Sequence, residues 1–279
     1  RQALAANPSS LRPDFAPDTV VSVNPKVSVS WLVGSSLPTA GARRWTRLRA
    51  AGGTGIRPPD ALEIAFTDNP DLKPERSRSV EVGVTQALAG GAIQLDATTF
   101  FNQYDDLIVS VGSLGDASRY RTDNISNARA RGLETAAAWR APTGLSVRGV
   151  YTLLDTEILA VDGLAQAPTP YRVGDALLRR PRHQGSVTVV WALPRVTMFA
   201  MIEGRGATLD AEPAFGPSGG LYENPRRTLV DLGGSFRVAR AVDVFARVLN
   251  VFNRDYEEVL GFPSPGRTAF VGVRVATRR

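Results

Sequence analysis

The chain has 279 residues, no cysteine, one histidine and a formal net charge of +6. A chain without cysteine has neither disulfides nor thiolate metal sites. The positive charge comes from scattered arginines, with no recognition helix or aromatic-basic RNA motif, so the composition argues against nucleic-acid binding. No window approaches the ~18 apolar residues of a membrane-spanning helix, whereas a spanning β-strand needs only ~9–11 residues.

Alternating apolar and polar residues predict β-strands along most of the chain. The pattern is clear in 80–85, 145–152, 242–248 and 269–275. A period of two gives each strand one apolar face and one polar face. In chain order the predicted strands are 20–33, 45–55, 77–88, 91–104, 126–140, 144–157, 182–193, 195–206, 226–238, 241–251 and 267–277.

The connections between these strands are alternately short and long. Tight turns are predicted at Ala89–Gly90, Ala141–Thr143, Pro194 and Ala239–Arg240, and Gly34–Arg44 is a connection of middling length. Long connections are predicted at 56–76, 105–125, 158–181, 207–225 and 252–266. Short turns at one end and long loops at the other are typical of outer-membrane barrels. The predicted strands are also about twice the ~5–6 residues of a typical globular strand.

Charged residues occupy mid-strand positions opposite the row of Val, Leu, Ile and Phe. They are Glu81, Asp96, Arg148, Asp231, Arg237, Asp243, Arg247 and Arg274. In a soluble β-sandwich these charges would face solvent, whereas in a large barrel they would line a wet interior and the apolar row would face lipid. Alternation alone does not separate the two folds. Strand length and loop asymmetry favour the barrel.

Residues that could carry chemistry do not form a recognisable catalytic or metal-binding set. His183 has no second histidine beside it and no Ser–His–Asp grouping, so a structural or interior-lining role is expected. Asp105–Asp106 and Glu257–Glu258 could bind calcium or a basic ligand, but solvated loop charge is the simpler expectation. Gly52–Gly55 lacks the Lys–Ser/Thr partner of a phosphate loop. We therefore predict no catalytic residue, no metal site and no cofactor.

Several other residues have a predicted structural role. Pro58–Pro59 cannot donate ladder hydrogen bonds and should end strand pairing. Gly132 inside a strand indicates a close approach, a bulge or a bend. Asn250 and Asn253 are expected to satisfy loop backbone groups, and Gly266 to supply turn freedom before the last strand.

Aromatic residues lie toward the predicted strand ends, where interfacial belts form in membrane barrels. They are Trp31, Tyr104, Trp139, Tyr151 and Trp191. Ordinary sheet packing is the alternative interpretation.

Four blocks of sequence carry a family resemblance. Residues 55–77 contain G-I-R-P-P, L-E and N-P-D-L-K-P-E-R-S, and residues 127–134 read N-A-R-A-R-G-L-E. Residues 178–183 read L-R-R-P-R-H, and residues 248–267 contain V-L-N-V-F-N-R-D-Y and G-F-P-S-P-G-R. In this order the blocks resemble the C-terminal half of the barrel of TonB-dependent outer-membrane receptors, the energised importers of siderophores, cobalamin and similar nutrients.

The resemblance implies an all-β fold, an antiparallel transmembrane β-barrel of which about 11 of an expected 22 strands are present. Residues 1–279 would be the C-terminal part of the barrel domain, without the plug domain, in the bacterial outer membrane. Implied partners are a small-molecule nutrient (siderophore or cobalamin-like), outer-membrane lipid and, in the full-length receptor, the plug domain and TonB. We expect the chain to be a partial sequence that does not transport alone.

Ligand contacts are expected from loops 105–125, 158–181 and 207–225, with no individual residue assigned. A plug-less porin-type barrel or another outer-membrane barrel protein is the alternative. A third possibility is an outer-membrane enzyme that uses His183, or a soluble β-sandwich.

Overall fold

The computed structural model of the chain describes residues 20–33, 44–65, 72–111, 121–161, 172–212 and 216–276. Fifteen strands and one short helix occur among them. The strands are β1 (Lys26–Val33), β2 (Trp45–Arg57), β3 (Glu75–Leu88), β4 (Ile93–Val111), β5 (Arg121–Arg140), β6 (Leu145–Val161), β7 (His183–Ala192), β8 (Val196–Arg205), β9 (Thr208–Glu212), β10 (Gly216–Asn224), β11 (Arg227–Ala239), β12 (Val242–Leu249), β13 (Glu257–Val259), β14 (Phe262–Pro263) and β15 (Thr268–Val275). The helix α1 spans Ala61–Ala65.

Eleven of these strands form one antiparallel sheet in the order β1-β2-β3-β4-β5-β6-β7-β8-β11-β12-β15. They correspond to the eleven strands predicted from alternation, so the all-β prediction is confirmed. Along this sheet the strands keep their chain order, although β9–β10 and β13–β14 are separate pairs inserted after β8 and β12. Tight turns at Ala89–Gly91 and Arg240–Ala241 join adjacent strands directly. The other ends of these strands carry the longer connections, as predicted.

Some predicted boundaries are wrong. The first strand begins at Lys26, because residues 20–25 make no strand pairing. Most of the predicted loop 105–125 is strand: β4 continues to Val111 and β5 starts at Arg121. A bulge makes this possible, since Asp106 adopts a φ of 58° and the pairing shifts register between Tyr104 and Leu107.

Two other predicted loops contain strands of their own. The hairpin of β9 and β10 lies in 207–225, and the short pair of β13 and β14 lies in 252–266. Residues 112–120 of loop 105–125, residues 162–171 of loop 158–181 and the connection 34–43 lie outside the described residues.

Among the described residues, no second layer packs against the main sheet. The buried hydrophobic residues among those described are Ala87, Ile108, Ala128, Ala130 and Ile158. Large apolar side chains such as Val82, Val187 and Ile202 are instead 53%, 43% and 48% exposed. A β-sandwich buries the apolar faces of two sheets against each other. The sandwich alternative is therefore wrong.

The register separates the sheet into two chemically different faces. Trp31, Leu48, Val84 and Ala97 lie opposite one another across four strands, and Val187 lies opposite Ile202. We call the side that carries these residues the apolar face. The opposite side is the polar face. The eight charged residues predicted to share one side of the strands all lie on it: Glu81, Asp96, Arg148, Asp231, Arg237, Asp243, Arg247 and Arg274.

Tryptophans mark the tight-turn end of the apolar face. Trp31, Trp139 and Trp191 lie near the ends of β1, β5 and β7 and are 64%, 43% and 43% exposed. The prediction that Tyr104 belongs to an interfacial aromatic belt is wrong, because its side chain lies on the polar face, opposite Ser77. Tyr151 lies inside β6. Within the described part of the chain no helix is long and apolar enough to cross a membrane.

Candidate ligand-facing site

Arg57, the last residue of β2, forms ion pairs with two carboxylates of the first family-like block, residues 55–77. Its guanidinium donates to Glu75 at 2.6 Å and to Glu63 at 2.8 and 2.9 Å. Glu75 also accepts from the backbone N–H of Ile108 at 3.0 Å, which ties β4 to the same point. Pairing of β2 with β3 ends at Arg57, directly before Pro58, as predicted.

The helix α1 begins with a reciprocal cap. The backbone N–H of Glu63 donates to Asp60 Oδ1 at 2.8 Å, and the backbone N–H of Asp60 donates to Glu63 Oε2 at 2.8 Å. This is the capping-box arrangement. Glu63 therefore connects the helix start to Arg57, and the block is explained as architecture.

The last family-like block is also architectural. Asn250 Oδ1 accepts from the Arg254 N–H at 2.9 Å, and Asn253 Oδ1 accepts from the Arg267 N–H at 2.8 Å. The prediction for both asparagines is confirmed. The prediction for Gly266 is wrong, because its backbone is not left-handed. Glycine is needed there because a Cβ would lie 2.8 Å from Asn253 Oδ1.

Further down the polar face, Arg49 crosses the neighbouring strand. Its Nη1 donates to Thr85 Oγ1 at 2.7 Å and lies 3.6 Å from Asp96 Oδ1, while Nη2 reaches Thr98 on β4. Gly83 lies beneath the guanidinium, where a Cβ would be 2.7 Å from Arg49 Nε. The missing side chain lets one arginine join three strands.

At the long-connection end of the polar face, four charged residues and one tyrosine form a cluster that we call the rim cluster: Glu203, Arg205, Arg227, Tyr256 and Glu258. Arg205 Nη1 donates to Glu258 at 2.9 Å, and Arg227 Nη2 pairs with both Glu258 and Glu203, the latter at 3.4 Å. The Arg227 guanidinium lies 4.7 Å from the Tyr256 ring centroid. Arg227 is 9% exposed, while Glu258 is 55% exposed.

Asp210 joins two of the long connections next to this cluster. Its side chain is fully buried; Oδ1 accepts from Arg179 Nε at 2.7 Å and Oδ2 accepts from the Leu260 N–H at 2.9 Å. The Arg179 N–H also donates to the Leu209 carbonyl at 2.8 Å. The segment around Arg179 and the hairpin β13–β14 are thus held to β9 by one carboxylate.

A pocket of about 480 Å³, which we call the rim pocket, lies between these groups on the polar face. Its lining includes Arg179, Gln184, Ser186, Glu203, Arg205 and Glu258. Guanidinium donors, carboxylate acceptors and small polar groups alternate around it. Such a lining can hold a polar molecule by hydrogen bonds. The described residues contain no group of three or more His, Asp or Glu that could hold a metal ion.

The residues that the sequence suggested as candidates for chemistry, His183 and the two carboxylate pairs, do not lie together in one site. His183 Nδ1 lies 2.7 Å from the Tyr151 hydroxyl on the apolar face. Asp105 lies in β4 near Arg78, and Asp106 forms the bulge. Of the carboxylate pairs, Glu258 alone joins the rim cluster. The prediction that Glu257–Glu258 belongs to a loop is wrong, since both lie in β13.

Sequence reasoning missed Arg205, Arg227 and Asp210. A signal was available for the two arginines. Each stands at the long-connection end of a predicted strand, on the face that carries the other charges. No comparable signal exists for Asp210, because its partners come from connections 31 and 50 residues away.

Comparisons of the chain with family models and with known proteins all indicate the same family. Residues 5–251 match the family model described as "TonB dependent receptor-like, beta-barrel". The chain is 26% identical over 212 residues to the vitamin B12 transporter BtuB of Vibrio vulnificus, covering 75% of this chain and 30% of that protein. It is 24% identical over 257 residues to the iron-regulated outer membrane virulence protein of Vibrio cholerae, covering 83% and 37%.

The fold is also found among solved structures. The ferric-catecholate import receptor Fiu from E. coli K12 matches with a TM-score of 0.67 and 17% identity, covering 97% of this chain and 39% of that one. The copper transporter OprC matches with a TM-score of 0.65 and 20% identity, covering 83% and 37%. The chain thus spans about a third of the length of the relatives it matches.

Proposed function

Because the chain belongs to the TonB-dependent receptor-like β-barrel family, which is a family of the bacterial outer membrane, we propose that it forms part of the wall of a nutrient receptor. The receptor takes up a scarce small molecule, such as an iron–siderophore complex, cobalamin or a metal complex. Matched relatives are transporters and receptors, among them a vitamin B12 transporter and a ferric-catecholate import receptor. The observation that carries the proposal is the single sheet with one apolar and one charged face.

In this proposal the apolar face contacts lipid and the polar face lines the wet interior. Exposed Val82, Val187 and Ile202 have no protein layer over them, so hydrocarbon is the medium that favours their exposure. Arg49, Asp96 and Arg148 on the other side would be strongly unfavourable in hydrocarbon.

The two edges of the sheet indicate how the barrel is completed. Among the described residues, β1 and β15 each pair on one side only, and unpaired backbone groups in lipid cost several kcal/mol each. Eleven antiparallel strands place β1 and β15 in the same direction. Closure by antiparallel pairing therefore requires an odd number of further strands. Eleven more would give the 22-stranded barrel implied by the family, with the plug domain inside it and energy delivered through TonB.

The rim pocket is the proposed place of ligand contact in this part of the wall. It opens on the polar face, at the end where the long connections lie, and its floor includes Ser186 and Gln184. Arg205 and Glu258 offer a donor and an acceptor to a polar ligand. The buried Asp210 clamp holds the surrounding connections in place.

Uptake by cells tests the function. The gene is deleted, and accumulation of labelled cobalamin and of labelled ferric siderophores is measured with and without TonB. We expect one ligand class to lose uptake on deletion and uptake of that class to require TonB. Solute entry that continues without TonB would instead support the plug-less porin-type barrel.

A second measurement tests the pocket. Ser186→Trp would fill it without removing an ion pair, and ligand affinity should fall at least tenfold. Ser146→Trp places the same ring on the same face at the tight-turn end and serves as the matched control. Equal affinities for both variants, each folded by heat-modifiable gel mobility, would contradict the assignment.

A further inference from the structure

A second depression, which we call the outer groove, lies at the long-connection end on the opposite side of the sheet. It has a volume of about 780 Å³, and its lining includes Tyr151, His183, Gly204, Arg226, Thr228 and Arg254. Tyr151, His183 and Gly204 belong to the apolar face by register. The groove shares five lining residues with the rim pocket, Gln184, Gly185, Gly204, Arg205 and Arg227. A ligand held on the polar face does not explain the residues that line the groove on the apolar side.

Two glycines create the hollow. Gly185 and Gly204 lie directly opposite each other on β7 and β8. A Cβ on Gly204 would meet nothing within 4 Å. On the other side the Tyr151 ring lies 3.4 Å from where a Gly185 Cβ would be, and the Tyr151 hydroxyl lies 2.7 Å from His183 Nδ1. The hollow is open space bounded by a fixed aromatic pair.

The groove carries positive charge that is not neutralised by ion pairs. Arg226 and Arg254 are both exposed, and neither guanidinium forms an ion pair with a described residue. Asp255 is the carboxylate on the wall. Arg205 and Arg227 also reach the groove, but they are paired with Glu203 and Glu258. The two unpaired arginines leave the site suited to an anion.

Apolar surface continues directly from the groove toward the middle of the sheet. Val187, Ile202 and Leu232 lie on the same face and are 43%, 48% and 44% exposed. Ile202 lies two residues before Gly204 on β8, which is about 7 Å along a strand. The surface therefore places two cationic side chains, Arg226 and Arg254, next to a strip of exposed apolar side chains that we call the apolar track: Val187, Ile202 and Leu232. Both fit within the length of one amphiphilic lipid.

We propose that the outer groove binds the phosphate-bearing headgroup of an outer-leaflet lipid, with its acyl chains lying along Val187, Ile202 and Leu232. Guanidinium groups bind phosphate by paired, charge-assisted hydrogen bonds. The proposal rests on the membrane location of the family and not on the identity of the transported nutrient. A soluble phosphorylated molecule would not contact the apolar track, so a lipid is the favoured occupant.

Native mass spectrometry of the intact receptor that contains these residues tests this inference. The protein is purified in a neutral detergent and titrated with bisphosphorylated lipid A, with the same lipid after enzymatic dephosphorylation, and with inorganic phosphate. The wild type should retain the phosphorylated lipid. Arg226→Gln with Arg254→Gln should weaken retention by roughly tenfold per arginine, the usual size of a charged hydrogen bond.

Matched variants separate the groove from general lipid contact. Gly204→Phe fills the open space and should abolish retention, whereas Ala50→Phe adds the same ring to the apolar face on the distant strand β2 and should not. Arg247→Gln removes a cation from the polar face and is the charge control. Heat-modifiable gel mobility confirms that each variant is folded.

Three results would overturn the inference: equal retention of the dephosphorylated lipid, displacement by inorganic phosphate at the same concentration as the lipid, or unchanged retention in Gly204→Phe. Because lipid is counted on purified protein without nutrient, this result is independent of the uptake experiment. Lipid retention without TonB-dependent uptake would refute the receptor proposal and leave the groove assignment standing.

Discussion

The ring of Phe100 lies across Gly132, its direct partner on the neighbouring strand. A Cβ on Gly132 would be 2.8 Å from Phe100 Cζ and would overlap the carbonyl oxygen of Leu153. The same relationship joins Phe199 to Gly233 and Phe245 to Gly272 on the same polar face. Each aromatic ring thus covers the backbone of a glycine, and the face stays closely packed without a second protein layer.

Gly132→Ala should therefore destabilise the barrel. The new methyl group meets a backbone oxygen that cannot rotate away, so β5 and β6 must separate, at about 1–3 kcal/mol. Urea unfolding of the intact protein, followed by heat-modifiable gel mobility, measures the change. Gly149→Ala is the control, because its Cβ would make ordinary contacts at 3.8 Å. Equal unfolding midpoints for the two variants would show that the close approach at Gly132 has no energetic consequence.

Arg49 and Gly83 should be energetically coupled. Arg49→Ala removes the bonds to Thr85 and Thr98, which should cost about 1–2 kcal/mol. Gly83→Ala should displace the same guanidinium, since the added carbon would lie 2.7 Å from Nε. The double variant should then be no less stable than the worse single variant, as measured in a double-mutant cycle. Gly83→Ala combined with Arg148→Ala, three strands further on, should be additive.

Asp210 should control how firmly two long connections are held. Asp210→Ala removes the acceptor for Arg179 Nε and for the Leu260 N–H, so the segment around Arg179 should open more often. Trypsin cleavage between Arg179 and Arg180 on whole cells should become at least tenfold faster, the equivalent of one charged hydrogen bond. Glu223→Ala, on the adjacent strand β10, should leave the rate unchanged. Cleavage of the Asp210 variant at the wild-type rate would contradict the clamp.

Alternation predicted the strands well because each strand has one apolar and one polar face. Val147 and Arg148, for example, take opposite faces whatever the rest of the chain does, so a local pattern is sufficient. The boundaries of β4 and β5 were not predictable in this way. Pairing there continues past the bulge at Asp106, and it depends on the partner strand and not on the local composition.

The candidate site was less predictable than the sheet. Arg57 pairs with Glu63 and Glu75, which are 6 and 18 residues away in the chain. The sequence of the family-like block contains all three residues but does not indicate that they form ion pairs. The hairpin β9–β10 was hidden by glycine and proline, which normally indicate loops. Gly185 and Gly204 shape the outer groove through the side chains they lack, and no sequence period reports such an absence.

Single cysteines can test which face contacts lipid, because the chain has no cysteine of its own. Ser186, Val187 and Thr188 are consecutive on β7, and their side chains point alternately to the polar, apolar and polar faces. Cysteine at Val187 should react with a lipid-soluble maleimide in intact membranes and resist a charged one. Cysteine at Ser186 or Thr188 should resist the lipid-soluble reagent. The three positions are consecutive, so they lie at nearly the same depth in the membrane. A difference in their reactivity therefore reports only which face of the sheet each side chain occupies. Reaction of all three with the lipid-soluble reagent, or of Thr188 but not Val187, would contradict the assignment of the apolar face to lipid.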